Sequence, residues 1–313
     1  MIALGLLLMI VSEAATLAKI EPFWSWNTPI AWTGFILFAD SVVFRARGQS
    51  WMRSAPRELA GLAIASIPLW LVFELYNLYI DNWHYVGLPE NFWLRMFGYA
   101  WSFGTIWPAI FEGADFVAVC RGMMRRNPVS AYAPAVPTKR SATVSTTVSA
   151  TAATTAAVPS VRPVAPVVPA VSIAVGAACL VWPLAQPSRY LAAPVWLGFI
   201  FLLDPINAWI SGESLLQDSR RGRWDRLVNL AASGMLCGVL WEFLNYWSRA
   251  KWHYTVPIME SFKIFEMPIP GYLGFPVFAI ECFTMYVFTR SLFTSVASVA
   301  RLMPRSAGRA IGW

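Results

Sequence analysis

The sequence predicts an all-α fold: a polytopic membrane helix bundle of about eight transmembrane helices, arranged as two parallel four-helix repeats. Three observations predict it. Hydrophobic residues make up 57% of the 313 and charged residues only 13%, and apolar runs near the ~20 residues that cross a bilayer recur along the chain. The second half restates landmarks of the first at a nearly constant offset. Basic residues cluster between apolar runs in a pattern that orients membrane proteins.

The expected spans cover residues 2–18, 29–44, 59–80 and 97–120, then 171–184, 194–210, 227–247 and 272–293. Several are short for a full crossing, which implies tilt or local thinning. The first run has a small-residue site, Ser12-Glu13-Ala14, that resembles a signal-peptide cleavage site. No basic segment precedes it, and the repeat gives it a place as the first helix of copy one, so a retained helix is expected.

The expected organisation is a first repeat over residues 1–126, a linker over 127–170, a second repeat over 171–296 and a basic tail over 297–313. The linker is rich in Ala, Thr, Ser, Val and Pro, with seven prolines from Pro128 to Pro169. They forbid one continuous helix, so the segment is expected to be flexible.

Trp32-Thr33-Gly34-Phe35-Ile36 with Asp40 returns as Trp196-Leu197-Gly198-Phe199-Ile200 with Asp204, an offset of 164. Glu74 and Asn77 return as Glu242 and Asn245 at 168, and Glu112 returns as Glu281 at 169. Trp83-His84-Tyr85 returns as Trp252-His253-Tyr254, and these hold the two histidines of the chain. An even number of helices per copy makes the copies parallel, related by a pseudo-two-fold axis along the membrane normal.

Arginines crowd the loops after helices two, four and six and the tail (Arg45, Arg47, Arg121, Arg220 and Arg221 among them), while the opposite side is poor in basic residues. The positive-inside rule then places both termini and the linker in the cytoplasm of a plasma (inner) membrane protein. Membrane topology accounts for the net charge of +7, and no nucleic-acid partner is expected. The sequence carries no signal for an oligomeric state.

A carboxylate on an apolar helix is costly and calls for a reason. Glu74, Asn77, Asp81 and His84 share one face if the helix persists, and Glu242, Asn245 and Arg249 repeat the first three places. Glu112 and Glu281 add a second acid per copy, each downstream of a helix proline, Pro108 or Pro276. The candidate acid–base residues are therefore Glu74, Glu242, Glu112 and Glu281. The candidate substrate contacts are Asn77, Asn245, His84, His253, Trp83, Trp252, Tyr85 and Tyr254, with each Asn orienting the neighbouring carboxyl. Trp101, Trp107, Trp241, Tyr246 and Tyr272 are further cavity candidates. Asp40 and Asp204 are expected to pair with loop arginines. Polar groups also hold membrane helices together without chemistry, at ~1 kcal/mol each.

Cys120, Cys179, Cys237 and Cys282 lack CxxC spacing and read as core thiols. A two-histidine haem or metal site would lack further ligands, so no metal and no cofactor are expected. No Walker loop, HExxH or GxSxG motif is present.

The order of Glu74, Trp83-His84-Tyr85 and Pro108 to Glu112, and again of Glu242, Trp252-His253-Tyr254 and Pro276 to Glu281, resembles the membrane-bound lycopene cyclases of carotenoid synthesis, which occur as heterodimers or fused repeats. The paired Glu-Glu of that family is a single glutamate here. The resemblance implies a membrane lipid or isoprenoid as substrate and non-redox cyclisation or isomerisation as the reaction. Glu74 or Glu242 would be the acid and Glu112 or Glu281 the base. The alternative is a proton-coupled transporter or a lipid-binding scaffold without catalysis.

Overall fold

A computed structural model describes residues 1–122 and 167–302, with side chains as far as 294. The linker expected over 127–170 lies outside the described residues except for its last four positions. The first repeat consists of α1 (Ile2–Leu17), α2 (Phe23–Arg47), the short α3 (Trp51–Ser54), α4 (Pro56–Ile80), the strand β1 (Trp83–Val86) and α5 (Phe92–Cys120). The second consists of α6 (Val167–Ala185), α7 (Ala192–Ile210), the short α8 (Leu215–Arg220), α9 (Asp225–Trp247), β2 (Lys251–Tyr254), a hairpin of β3 (Lys263–Ile264) and β4 (Met267–Pro268), a 3₁₀ turn (Ile269–Leu273) and α10 (Gly274–Leu302). Seven of these helices are long and apolar enough to cross a membrane, and α1 is a shorter apolar helix.

Six of the eight expected spans fall inside a helix, most of which extend a few residues further; the first, 2–18, runs one residue past α1, and the last, 272–293, starts two residues before α10. The described part of α6 starts at Val167, four residues ahead of the span expected from 171.

Within each repeat the packing order is the same: α1 on α2, α2 on α5, α5 on α4, and α6 on α7, α7 on α10, α10 on α9. Glycine sets the first contact in both copies. A Cβ on Gly5 would lie 2.6 Å from the Gly34 carbonyl oxygen, and one on Gly176 would lie 2.7 Å from that of Gly198. Small residues at such crossings let backbones approach where lipid supplies no hydrophobic drive.

The two copies run in the same sense. Both α4 and α9 end at the strands that come after them, and β1 pairs antiparallel with β2 in the register Trp83 with Tyr254, His84 with His253 and Tyr85 with Trp252. The molecule thus has a ribbon end and, opposite, an arginine-rich end.

At the arginine-rich end Asp40 and Asp204 do not follow expectation. Asp40 accepts from the Met52 amide at 2.9 Å. Asp204 accepts from the amides of Leu215 (2.8 Å) and Leu216 (3.0 Å) and from Ser214 Oγ (2.7 Å). Each carboxylate closes the start of a short helix, which needs acceptors for its unpaired amides. The arginine that does bury itself is Arg47, against Asp115 at 2.6 Å, with Trp51 Nε1 donating to the other Asp115 oxygen at 3.0 Å.

The seam between the repeats is uneven. On one side α5 meets α9 through small residues: Ser233 Oγ donates to the Ile110 carbonyl at 2.7 Å, and a Cβ on Gly113 would sit 2.4 Å from Ser233 Oγ. On the other side α4 reaches the second repeat through rings. Trp70 and Phe73 both lie against Phe278 of α10, at 5.8 and 5.7 Å between centroids, and Phe73 lies against Phe199 of α7 at 6.0 Å.

Candidate site: an aromatic chamber between the repeats

The apolar helix α4 ends at Ile80 because Asp81 adopts a left-handed conformation, φ 49°. The helical stripe therefore stops after Asn77. Asp81 and His84 do not continue it, and Asp81 instead pairs with Arg189. In the second copy α9 ends at Trp247, so Arg249 is likewise off the helix, donating to Glu21 at 3.2 Å.

In each copy a strand succeeds the helix, and its side chains alternate. Trp83 and Tyr85 point inward, as do Trp252 and Tyr254, and all four line a chamber between the repeats. The histidines face away from it, their rings 5.8 Å apart. His253 Nδ1 lies 2.8 Å from Glu266, which also takes Lys251 at 3.3 Å.

The asparagines hold the strands and not the carboxyls. Asn77 Oδ1 accepts from the Trp83 amide at 3.2 Å, and its Nδ2 donates to the Trp83 carbonyl at 2.7 Å. Asn245 makes the same pair with Trp252, both at 2.9 Å. With both ends of each amide engaged by backbone, these residues position the chamber's tryptophans. Neither Asn is among the chamber-lining residues.

Glu74 and Glu242 stand behind the chamber's rings. Glu74 Oε1 accepts from Trp70 Nε1 at 2.7 Å, from Trp83 Nε1 at 3.3 Å and from the Tyr85 hydroxyl. Glu242 Oε1 accepts from the Tyr254 hydroxyl at 2.9 Å, while its Oε2 is buried without a partner among the described residues. One of the two missing donors has a sequence origin: at the repeat offset of 168, the place of Trp70 is taken by Gly238; the other is a matter of geometry, since Trp252 keeps the place of Trp83 but its indole N–H has no partner among the described residues. Burial, followed by the neighbouring glutamate charge, pushes the phenols of Tyr85 and Tyr254 well above their usual range. Both keep their protons and act as donors.

Glu112 and Glu281 are fully buried and lie off the chamber, two and three residues beyond the last lining positions of their helices, Ile110 and Phe278. No carboxyl oxygen of either has a hydrogen-bond partner among the described residues. Asp40, Asp115 and Arg47 are near Glu112. At the repeat offsets, Arg47 and Asp115 become Ser211 and Thr284, so Glu281 has no counterpart of that pair.

The chamber has a volume of about 120 Å³, the scale of a void that accepts one six-membered ring. Seven tryptophans, three tyrosines and four phenylalanines line it. Trp70 is their hub, within 6.0 Å, centroid to centroid, of Phe73, Trp83, Phe103, Trp241 and Phe278. Of the further cavity candidates Trp241 lines it; Trp101, Trp107, Tyr246 and Tyr272 do not. The floor is buried, at Ile106, Ala109, Ile110 and Cys237, and the rim at Ser25, Leu88, Arg95 and Lys251 is half-buried. Sequence reasoning misses Arg95 and the hydroxyl-bearing rim, because nothing in the repeat pattern marks them. Among the described residues no group of three His, Cys, Asp or Glu side chains is arranged to hold a metal. Comparison with protein-family models, curated proteins and solved structures returns no match.

Proposed function

We propose that this integral membrane protein takes an isoprenoid-type lipid from the bilayer into the aromatic chamber and rearranges it, by cyclisation or isomerisation, without redox change. The observation that carries the reading is the pair of glutamate–tyrosine couples, Glu74 with Tyr85 and Glu242 with Tyr254, whose phenol rings line the chamber from both repeats.

Such a reaction needs a proton delivered to an alkene, a shielded cation and a base. Glu242, with one donor and one unpaired oxygen, suits a carboxylic acid. Glu74, with three donors converging on one oxygen, suits a carboxylate. Tyr254 passes its hydroxyl proton to the alkene carbon while Glu242 gives its own to the phenol oxygen, so no phenolate forms. The cation that results lies among ring faces, which stabilise it in a space that excludes water. Tyr85 then accepts a proton from the adjacent carbon as it hands its own to Glu74. The two proton transfers cancel in the product, as an isomerisation requires, and the enzyme resets by returning a proton from Glu74 to Glu242 through solvent.

The test is conversion of membrane lipids, read by mass spectrometry of extracts from cells carrying the full chain. Glu242→Gln should lower product by about 100-fold or more, in line with the worth of a general acid, while Glu281→Gln, off the chamber, should retain it. Undiminished product in Glu242→Gln sinks the assignment.

A further inference from the structure

The rim of the chamber carries a charge pattern that the interior does not explain. Among the lining residues two are basic, Arg95 and Lys251, and none is acidic. Lys251 has a counter-charge in Glu266 at 3.3 Å. Arg95 has none: among the described residues its guanidinium makes no ion pair and no hydrogen bond, only its backbone amide being bonded, to Asn91 at 3.0 Å.

Its placement is unfavourable on two further counts. Arg95 stands in the first turn of α5, whose N-cap is Asn91, where the helix dipole disfavours a cation. It also stands at the ribbon end, the side of the protein poor in basic residues. A half-buried, unpaired arginine in such a place is costly unless something negative meets it. Hydroxyl groups of Thr28, Tyr99 and Ser102 stand on the same rim, and the Thr28 oxygen is buried without a partner among the described residues; that of Ser25 is taken, donating to Glu21 at 2.7 Å.

We propose that the chamber's ligand is an anionic amphiphile: an isoprenoid chain whose end lies among the rings and whose phosphate-type head is held at the rim by Arg95, with Lys251 and the rim hydroxyls assisting. The inference rests on reading the chamber as a lipid site and adds the chemistry of the head group. Arg presents several donors in a plane that matches phosphate oxygens, and the apolar depth gives the tail its place.

The experiment is a titration of the purified full chain in neutral detergent, followed by tryptophan fluorescence, to which seven lining tryptophans contribute. The probes are a prenyl monophosphate, the matching prenol and inorganic phosphate. The prenyl phosphate should bind about tenfold or more tighter than the prenol, the worth of one charge-assisted contact. Arg95→Gln should remove that preference and leave prenol affinity unchanged, which also shows that the variant is folded; Arg95→Lys should restore part of it. Equal affinity for prenyl phosphate and prenol, or an unchanged preference in Arg95→Gln, overturns the head-group inference while leaving the lipid chamber standing. Failure of both prenyl probes to bind overturns the chamber reading itself. Inorganic phosphate binding as tightly as the prenyl phosphate overturns the amphiphile in favour of a free-anion site.

Discussion

His84 and His253 are direct partners across the β1–β2 ribbon, with imidazole centroids 5.8 Å apart. Equivalent residues of two copies meet each other only on the axis that relates the copies, so this contact marks the pseudo-two-fold. Facing Cα atoms of an antiparallel pair are about 4.5–5.5 Å apart, within disulfide range. The double variant His84→Cys, His253→Cys, in a background with the four native cysteines replaced, should oxidise to a cross-link between repeats. With a protease site introduced between residues 127 and 170, cleavage should then leave one band without reductant and two with it. Two bands in both conditions would refute the register.

Asn245 is fully buried and bonds both backbone groups of Trp252. Asn245→Ala strands a buried N–H and a C=O, and should destabilise by about 2–6 kcal/mol at the usual ~1–3 kcal/mol per orphaned group. Thermal unfolding in detergent should show this clearly, whereas His84→Ala, which removes an exposed ring, should shift the midpoint little. Equal shifts would mean that the asparagine does not hold the strand.

The helices and their duplication are legible in the sequence because apolar length and repeated landmarks are local properties of the chain. The strand pair is not. Four residues of Trp-His-Tyr-Val look like the end of an amphipathic helix until Asp81 breaks it, and the bonds that make β1 a strand come from β2, some 170 residues away. The same distance hides the role of Asn77: its position one turn after Glu74 predicts a carboxyl partner, while the folded chain offers it the backbone of Trp83. The capping roles of Asp40 and Asp204 stay hidden because short helices of four and six residues carry no periodic signal, although Ser50 and Ser214 repeat at the same offset of 164. The acids themselves are visible, since a glutamate in an apolar run stands out. Their separation into a pair beside the chamber and a pair off it depends on helix rotation, which single-residue spacing does not fix.

Gly238 replaces Trp70 between the repeats, and the consequence is testable as packing. A Cβ there would fall 2.1 Å from Cγ of Phe275. Gly238→Ala should force α9 and α10 apart or displace the Phe275 ring from the chamber wall, destabilising by about 1–3 kcal/mol as overpacked cores do. Gly61 of α4, where an added Cβ meets nothing within 4 Å, is the control: Gly61→Ala should leave the unfolding midpoint unchanged or raise it slightly, since alanine favours helix by up to about 1 kcal/mol. A Gly238→Ala protein as stable as wild type would show that α9 and α10 are not close-packed at this point.

The two glutamates should respond unequally to losing their tyrosines. Tyr85→Phe leaves Glu74 with the indoles of Trp70 and Trp83. Tyr254→Phe leaves Glu242, fully buried, without any hydrogen bond among the described residues, and removes the one hydroxyl that links that acid to the chamber. If Glu242 supplies the proton through Tyr254, this variant should lose about 100-fold or more of product formation, with stability lowered by about 1–3 kcal/mol, the cost of leaving one buried acceptor without its donor. Tyr85→Phe cuts the relay to Glu74 but should lose less, because a carbocation gives up a proton far more readily than an alkene takes one, and two donors still fix Glu74. The reverse order of the two losses would exchange the acid and base between repeats, and no loss in either would detach both couples from the reaction.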